Sequence, residues 1–141
     1  MSHPLSVCLW FDDQAKEAAE YYCGIFKDSK ITQSNPMVTT FELNGNKFMA
    51  LNGNKQCNFN DAASIMVSCD TQEEVDHYWN SLTANGGQES KCGWLKDKYG
   101  VSWQIIPSSM GRLMADPEKM QRVMQKVMQM TKLNIAEMEN A

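Results

Sequence analysis

The amino-acid sequence predicts an α+β fold in which two β-α-β-β-β modules form a cupped mixed sheet, followed by a helical tail. Three observations carry that expectation. Leu5 to Phe11 alternates apolar Leu5, Val7, Leu9 and Phe11 with Ser6, Cys8 and Trp10, the period of a strand with one buried face. Asn44-Gly45-Asn46 separates two apolar stretches, and an Asn-Gly step favours the φ > 0 conformations of a tight hairpin turn. The strand-cap-helix pattern then returns after about 57 residues: FDDQAKEAAEYY matches CDTQEEVDHYW, with Ala18 near Val75 and Tyr22 near Trp79. A chain of 141 residues is long enough for one sizeable core, so a single domain is expected. Within it the modules occupy 4–53 and 61–107, and the tail 108–141. A sheet with a helix on one side leaves its other side bare, so two modules must meet across a shared cleft or close on a partner.

The first strand runs from Leu5 to Phe11. Its even positions Ser6, Cys8 and Trp10 suit the wall of a pocket better than a dry core. Asp12-Asp13 supplies an N-cap, and Ala15, Ala18, Ala19, Tyr22, Ile25 and Phe26 recur at helical spacing. Strands are expected around Ser29–Gln33, Met37–Leu43 and Lys47–Leu51. The polar stretch from Gly53 to Asp61 connects the halves. Ala62 to Cys69 is the next strand, and Asp70-Thr71 caps a helix with Thr71 and Glu74 at capping-box spacing. Its stripe is Val75, Tyr78, Trp79 and Leu82, and Asn85-Gly86-Gly87 ends it. Gln88–Leu95 and Val101–Ile106 read as two further strands around a charged loop. Beyond Pro107 the chain turns Met-rich, and Asp116-Pro117 marks a helix start with the stripe Met120, Val123, Met124, Val127, Met128. That stripe suits packing within the domain or at a dimer contact, or an adaptable lid over a ligand.

A net charge of -4 and the lack of any Lys/Arg stripe argue against nucleic-acid binding through phosphate neutralisation. No run approaches the length needed to cross a bilayer, so no membrane partner is expected. The five cysteines, Cys8, Cys23, Cys57, Cys69 and Cys92, are odd in number and lie at no zinc spacing, as expected of reduced thiols in a cytoplasmic protein. A small molecule is the expected partner.

The segments LWFDDQAKEAAEYYCGIF, FMALNG and GWLKDKYGVSWQIIP resemble the PhnB-like group of the vicinal oxygen chelate superfamily, over about residues 3 to 107. That superfamily also holds glyoxalase I, bleomycin-resistance proteins and extradiol dioxygenases. The resemblance implies the glyoxalase/bleomycin-resistance/dioxygenase fold, a shared cleft and frequent homodimers. Many members of the group bear the label 3-demethylubiquinone-9 3-methyltransferase. No strand here leads into a Gly-rich turn that opens a helix, so methyl transfer from S-adenosylmethionine is not expected.

The resemblance also implies metal-ligand positions on the first and last strand of each module, which fall here on Ser6, Asn52 or its neighbour Leu51, Ser64 and Gln104. Neutral hydroxyls and amides are poor donors to a transition ion, so no metal cofactor is expected. His3 lies at the terminus and His77 on a helix, where it is expected at the surface or rim. The cleft is expected to be lined by Ser6, Cys8, Trp10, Asn52, Ser64, Met66, Ser68, Trp94, Ser102 and Gln104, with Trp10, Trp94 or Trp103 stacking on a ligand. Glu42 could face the cleft as a base or lie on a solvated sheet surface. The leading expectation is metal-independent binding of a small organic molecule. The alternatives are a glyoxalase-type lyase or isomerase borrowing a metal through Gln104 and Asn52, and an interaction protein acting through its dimer surface and Met-rich tail.

Overall fold

The computed structural model describes residues 3–141, and the chain divides into two compact units, one ending at Asn58 and one spanning Phe59–Ala141. The boundary falls inside the polar connector anticipated from Gly53 to Asp61.

The first unit holds β1 (Val7–Phe11), α1 (Ala15–Ile25), β2 (Ser29–Ser34), β3 (Val38–Leu43) and β4 (Asn46–Asn52), in the sheet order β1-β4-β3-β2. β1 and β4 are parallel, and the other neighbours are antiparallel. The helix buries Ala15, Ala18, Ala19, Tyr22 and Ile25, and three alanines let its backbone approach the sheet closely. Beneath it lie Leu9, Phe11, Phe41, Leu43, Phe48 and Ala50, with the Phe41 ring stacked on both Tyr22 and Phe48. The β3–β4 hairpin turns at Asn44 (φ 50°) and Gly45 (φ 81°), as the Asn-Gly step requires.

Two details of this unit differ from expectation. The strand begins at Val7 and Leu5 is 95% exposed, because an alternating pattern marks a strand only as far as a neighbour pairs with it. Neither Asp12 nor Asp13 caps α1, whose N-cap is Gln14 without a side-chain bond. The Asp12 carboxylate instead accepts the Lys55 N–H at 3.1 Å, tying down the chain that leaves β4.

The second unit repeats the plan with β5 (Ile65–Cys69), α2 (Gln72–Thr83), β6 (Gln88–Glu89), β7 (Trp94–Lys96) and β8 (Ser102–Pro107), ordered β5-β8-β7-β6. The capping box forms: the Thr71 hydroxyl accepts the Glu74 N–H at 3.2 Å, and the Glu74 carboxylate accepts the Asp70 N–H at 3.1 Å. On α2 itself Val75, Trp79 and Leu82 are buried, whereas Tyr78 is only partly covered. The expected strand Gln88–Leu95 is broken into β6 and β7 by a turn. Cys92 (φ 62°) and Gly93 (φ 85°) adopt left-handed conformations there, and their N–H groups donate to Met130 O and Thr131 O, both at 2.9 Å. Those acceptors belong to the tail, so no pattern within 88–95 could have announced the break.

The tail comprises α3 (Met110–Leu113), α4 (Pro117–Val127) and α5 (Ile135–Glu139). Asp116 caps α4 by accepting the Glu118 N–H at 3.0 Å, with Pro117 in the first turn, as the sequence foretold. Leu113, Val123, Val127, Leu133 and Met138 form a buried cluster against which Cys92, Ile106 and Met130 pack. The Gln72 side chain clasps the tail twice, donating to Leu133 O at 3.1 Å and accepting from Ile135 N–H at 2.9 Å. The tail is therefore part of the second unit. Among the described residues no helix is long and apolar enough to cross a membrane.

Lys132 pairs with Asp76 at 2.8 Å beside that clasp. The hydrogen bond from Lys132, and after it that from Gln72, holds the Asp76 carboxyl below its ordinary range. A carboxyl depressed by folding stabilises the native state above its unfolded value and loses that contribution as pH falls through the lowered one. Both side chains are more than a third exposed, at 37% and 42%, so screening limits the pair to less than about 1 kcal/mol. Asp76→Asn should therefore cost less than about 1 kcal/mol at pH 7 in urea unfolding, and the deficit should shrink as pH falls through the lowered carboxyl range.

Candidate functional site

Period-two alternation sorts each sheet into a side under its helix and a helix-free side. In the first unit Leu9, Phe11, Phe41, Phe48 and Ala50 take the helix side. Cys8, Trp10, Thr40, Glu42, Lys47, Met49 and Leu51 fall on the other, and the register places Cys8 beside Met49 and Trp10 beside Leu51. Cys8 is exposed and Trp10 half-buried. The Trp10 indole N–H donates to Gly53 O at 2.7 Å, which fixes the ring plane across the end of β4.

Asn52 falls elsewhere than the cleft reading needs. Paired with Phe11, it sits on the helix side, where its carbonyl accepts the Ala15 N–H at 2.9 Å and its amide donates to Pro36 O at 3.1 Å. It supplies the acceptor at the start of α1 that Asp12 and Asp13 do not. Leu51 is the residue that this register brings to the face of Trp10.

In the second unit Val67, Cys69, Leu95, Trp103 and Ile105 are buried on the helix side. Met66 pairs with Gln104, and Gln104 with Trp94, so these three adjoin on the helix-free side. The Gln104 amide donates to the Ser64 hydroxyl at 2.8 Å, leaving its carbonyl oxygen as the group that can accept from a ligand. Lys96 stands opposite Ser102 on the same face, a neighbour that the sequence reading did not single out. Its ammonium lies 3.8 Å from the Asp61 carboxylate, which also accepts the Ser102 hydroxyl at 2.7 Å. Ser102 is buried and spent on that bond.

Trp103 cannot stack on a ligand. It is 1% exposed under α2, and its N–H donates to the buried Asp97 carboxylate at 2.8 Å. Asp97 also accepts the N–H groups of Tyr99 and Val101 and so shapes the loop into β8. Ser68 and His77 are exposed, as is His3. Among the described residues no cluster of three or more His, Cys, Asp or Glu is placed to hold a metal ion.

The chain matches the family described as 3-demethylubiquinone-9 3-methyltransferase over residues 3–106. It is similar to a PhnB protein from Bacillus cereus that bears the same description, with 31% identity and a TM-score of 0.66 over 74% of this chain and 99% of that one. A glyoxalase-related enzyme from Fulvimarina pelagi shares 16% identity at a TM-score of 0.56, covering 76% of this chain and 88% of its own. The fosfomycin resistance protein FosX of Listeria monocytogenes, complexed with Mn(II) and sulfate, shares 15% identity at a TM-score of 0.60, covering 86% of this chain and 98% of its own. The last two likenesses establish the fold alone. No curated protein matches the chain.

Two outcomes follow from the geometry of the side chains. Asn52→Ala removes the acceptor at the start of α1 and should lower unfolding free energy by about 1–2 kcal/mol in urea titrations. Burial, and after it the carboxylates of Glu74 and Asp70, push the Cys69 thiol up to about 12. Alkylation of the native protein at pH 8 followed by mass spectrometry should label the exposed Cys8 and Cys57 and spare Cys69 until the fold is melted.

Proposed function

The chain belongs to the 3-demethylubiquinone-9 3-methyltransferase-described, PhnB-like family, with the fold of the glyoxalase/bleomycin-resistance proteins, and on that premise we propose that it binds a small organic molecule on the helix-free side of its sheets without a divalent metal. The observation that carries this reading is the donor set. At the places where metal-dependent members of the superfamily are expected to hold their ligands, this chain offers Ser6, Leu51, Ser64 and Gln104. None carries a charge, and the Gln104 amide nitrogen is already bonded to Ser64. A first-row divalent ion needs imidazole, thiolate or carboxylate to displace its water, so these residues do not fit such an ion.

What they fit is an organic molecule. Trp94 offers an aromatic wall, Met66 a polarisable apolar one, and Gln104 a carbonyl acceptor fixed by Ser64. On the first sheet, taken by itself, Trp10 held by Gly53 O offers a ring to a molecule bound on that face. The methyl transfer in the family description finds no support at the strand-to-helix turns. Asp12-Asp13-Gln14 and Asp70-Thr71 contain no glycine, so neither turn offers the close backbone approach of a Gly-rich nucleotide-binding turn.

Thermal-shift screening of metabolites, followed by calorimetry on the hits, tests the proposal. Trp94→Ala and Gln104→Ala should each weaken a bound hit by roughly tenfold or more, while metal chelators leave its affinity unchanged. A glyoxalase-type lyase would behave otherwise: elemental analysis would find one tightly held divalent ion per chain, chelation would abolish turnover, and Gln104→Glu would tighten the ion.

A further inference from the structure

On the helix-free side of the first sheet a cavity of about 320 Å³ runs across the strands, from Ser6, just before β1, to Thr32 on β2. Its floor is the sheet itself, at Phe41 and Phe48, whose rings stack with each other and belong to the core under α1. Met49 gives it an apolar patch, and the Thr32 and Thr40 hydroxyls, 2.7 Å apart, line one end. Its remaining walls are Glu42 and Lys47. These two are direct partners across the β3–β4 ladder, yet no ion pair joins them among the described residues.

We infer that this cavity takes a small zwitterion, an α-amino acid or a close derivative, with its ammonium on Glu42 and its carboxylate on Lys47. The inference rests on the small-molecule reading of the helix-free faces and names a ligand class for one of them. Opposite charges on facing strands commonly attract one another across a ladder. Here a carboxylate and an ammonium, both unengaged, border one cavity, and a molecule carrying both charges satisfies each where a singly charged one leaves the other without a partner. The hydroxyl pair can donate to a carboxylate and accept from an ammonium, since either threonine can be the donor. Met49 and the sheet floor would receive an apolar side chain. A volume of about 320 Å³ lies at the low end for ligand pockets, which suits an amino acid better than a larger cofactor.

Calorimetry with leucine, N-acetylleucine and leucinamide tests the assignment, because the two derivatives each lack one charge of the zwitterion. Leucine should bind at least about tenfold more tightly than either. Glu42→Gln should reduce leucine to the level of N-acetylleucine, and Lys47→Gln should reduce it to that of leucinamide. The exchange Glu42→Lys with Lys47→Glu keeps one charge of each sign on the hairpin and should restore most of the affinity for leucine. Equal binding of leucine and either derivative overturns the assignment. So does a lack of leucine binding by protein that still binds another small molecule through Trp94, and in that case the broader reading stands. If no small molecule binds at all, both fall.

Discussion

Antiparallel strands can be joined by a two-residue turn, but a parallel pair needs a connection long enough to bring the chain back to the same end of the sheet. In each unit the first and last strands are parallel neighbours, β1 with β4 and β5 with β8. The return from the first strand is made by a helix, which must lie on one side of the sheet. Everything that could be functional follows from that side being taken. Side chains that alternate toward the helix are committed to the core, as with Phe11, Phe41, Val67 and Trp103. Only the other set is available to meet a ligand.

The two units meet the same constraint with different local chemistry. Three residues, Asp12-Asp13-Gln14, link β1 to α1, whereas two, Asp70-Thr71, link β5 to α2. The shorter link places Thr71 at the cap and Glu74 within reach of Asp70, so the second helix starts on its own side chains. The longer link leaves the first helix without a local cap, and an acceptor comes from Asn52, 37 positions away in sequence. The parallel register makes that reach short, because Asn52 is the partner of Phe11. A residue at a strand end that resembles a site residue is thus a structural acceptor, and its neighbour Leu51 takes the exposed side.

Much of the architecture was legible because local signals agreed with one another. Alternation in VCLWF, the Asn-Gly turn, the Thr71 to Glu74 spacing and Asp116-Pro117 each state a local preference that the fold keeps. The misreadings came where distant residues decide. Nothing near Asp12 says that its carboxylate is drawn to Lys55, and nothing between Gln88 and Leu95 says that Met130 and Thr131 capture two of its amides. On the site side, alternation placed Cys8, Trp10, Met66 and Gln104 together with their neighbours. The same rule, applied one residue further, would have assigned Trp103 to the core and Lys96 to the face of Trp94. Thr40, Lys47 and Met49 carry no motif at all, and only the register of β3 against β4 gathers them around a cavity.

The tail explains how the weaker of the two sheets stands. β6 and β7 are two and three residues long, against six each for β2 and β3, so the second sheet has fewer ladder bonds at its outer edge. The missing pairing is supplied from outside the sheet, where the Cys92 and Gly93 amides find tail carbonyls. Ile106, which alternates to the side away from α2, is covered by the tail cluster rather than by a strand neighbour. A Cβ at Gly93 would meet Leu133 at about 3.0 Å, so the turn and the tail are fitted to each other. Val123, Val127 and Leu133 do that packing, whereas Met128 is 64% exposed and contributes little to it. The methionine stripe therefore serves two ends: its valine-flanked face completes the second unit, and its outer thioethers are left over from that task.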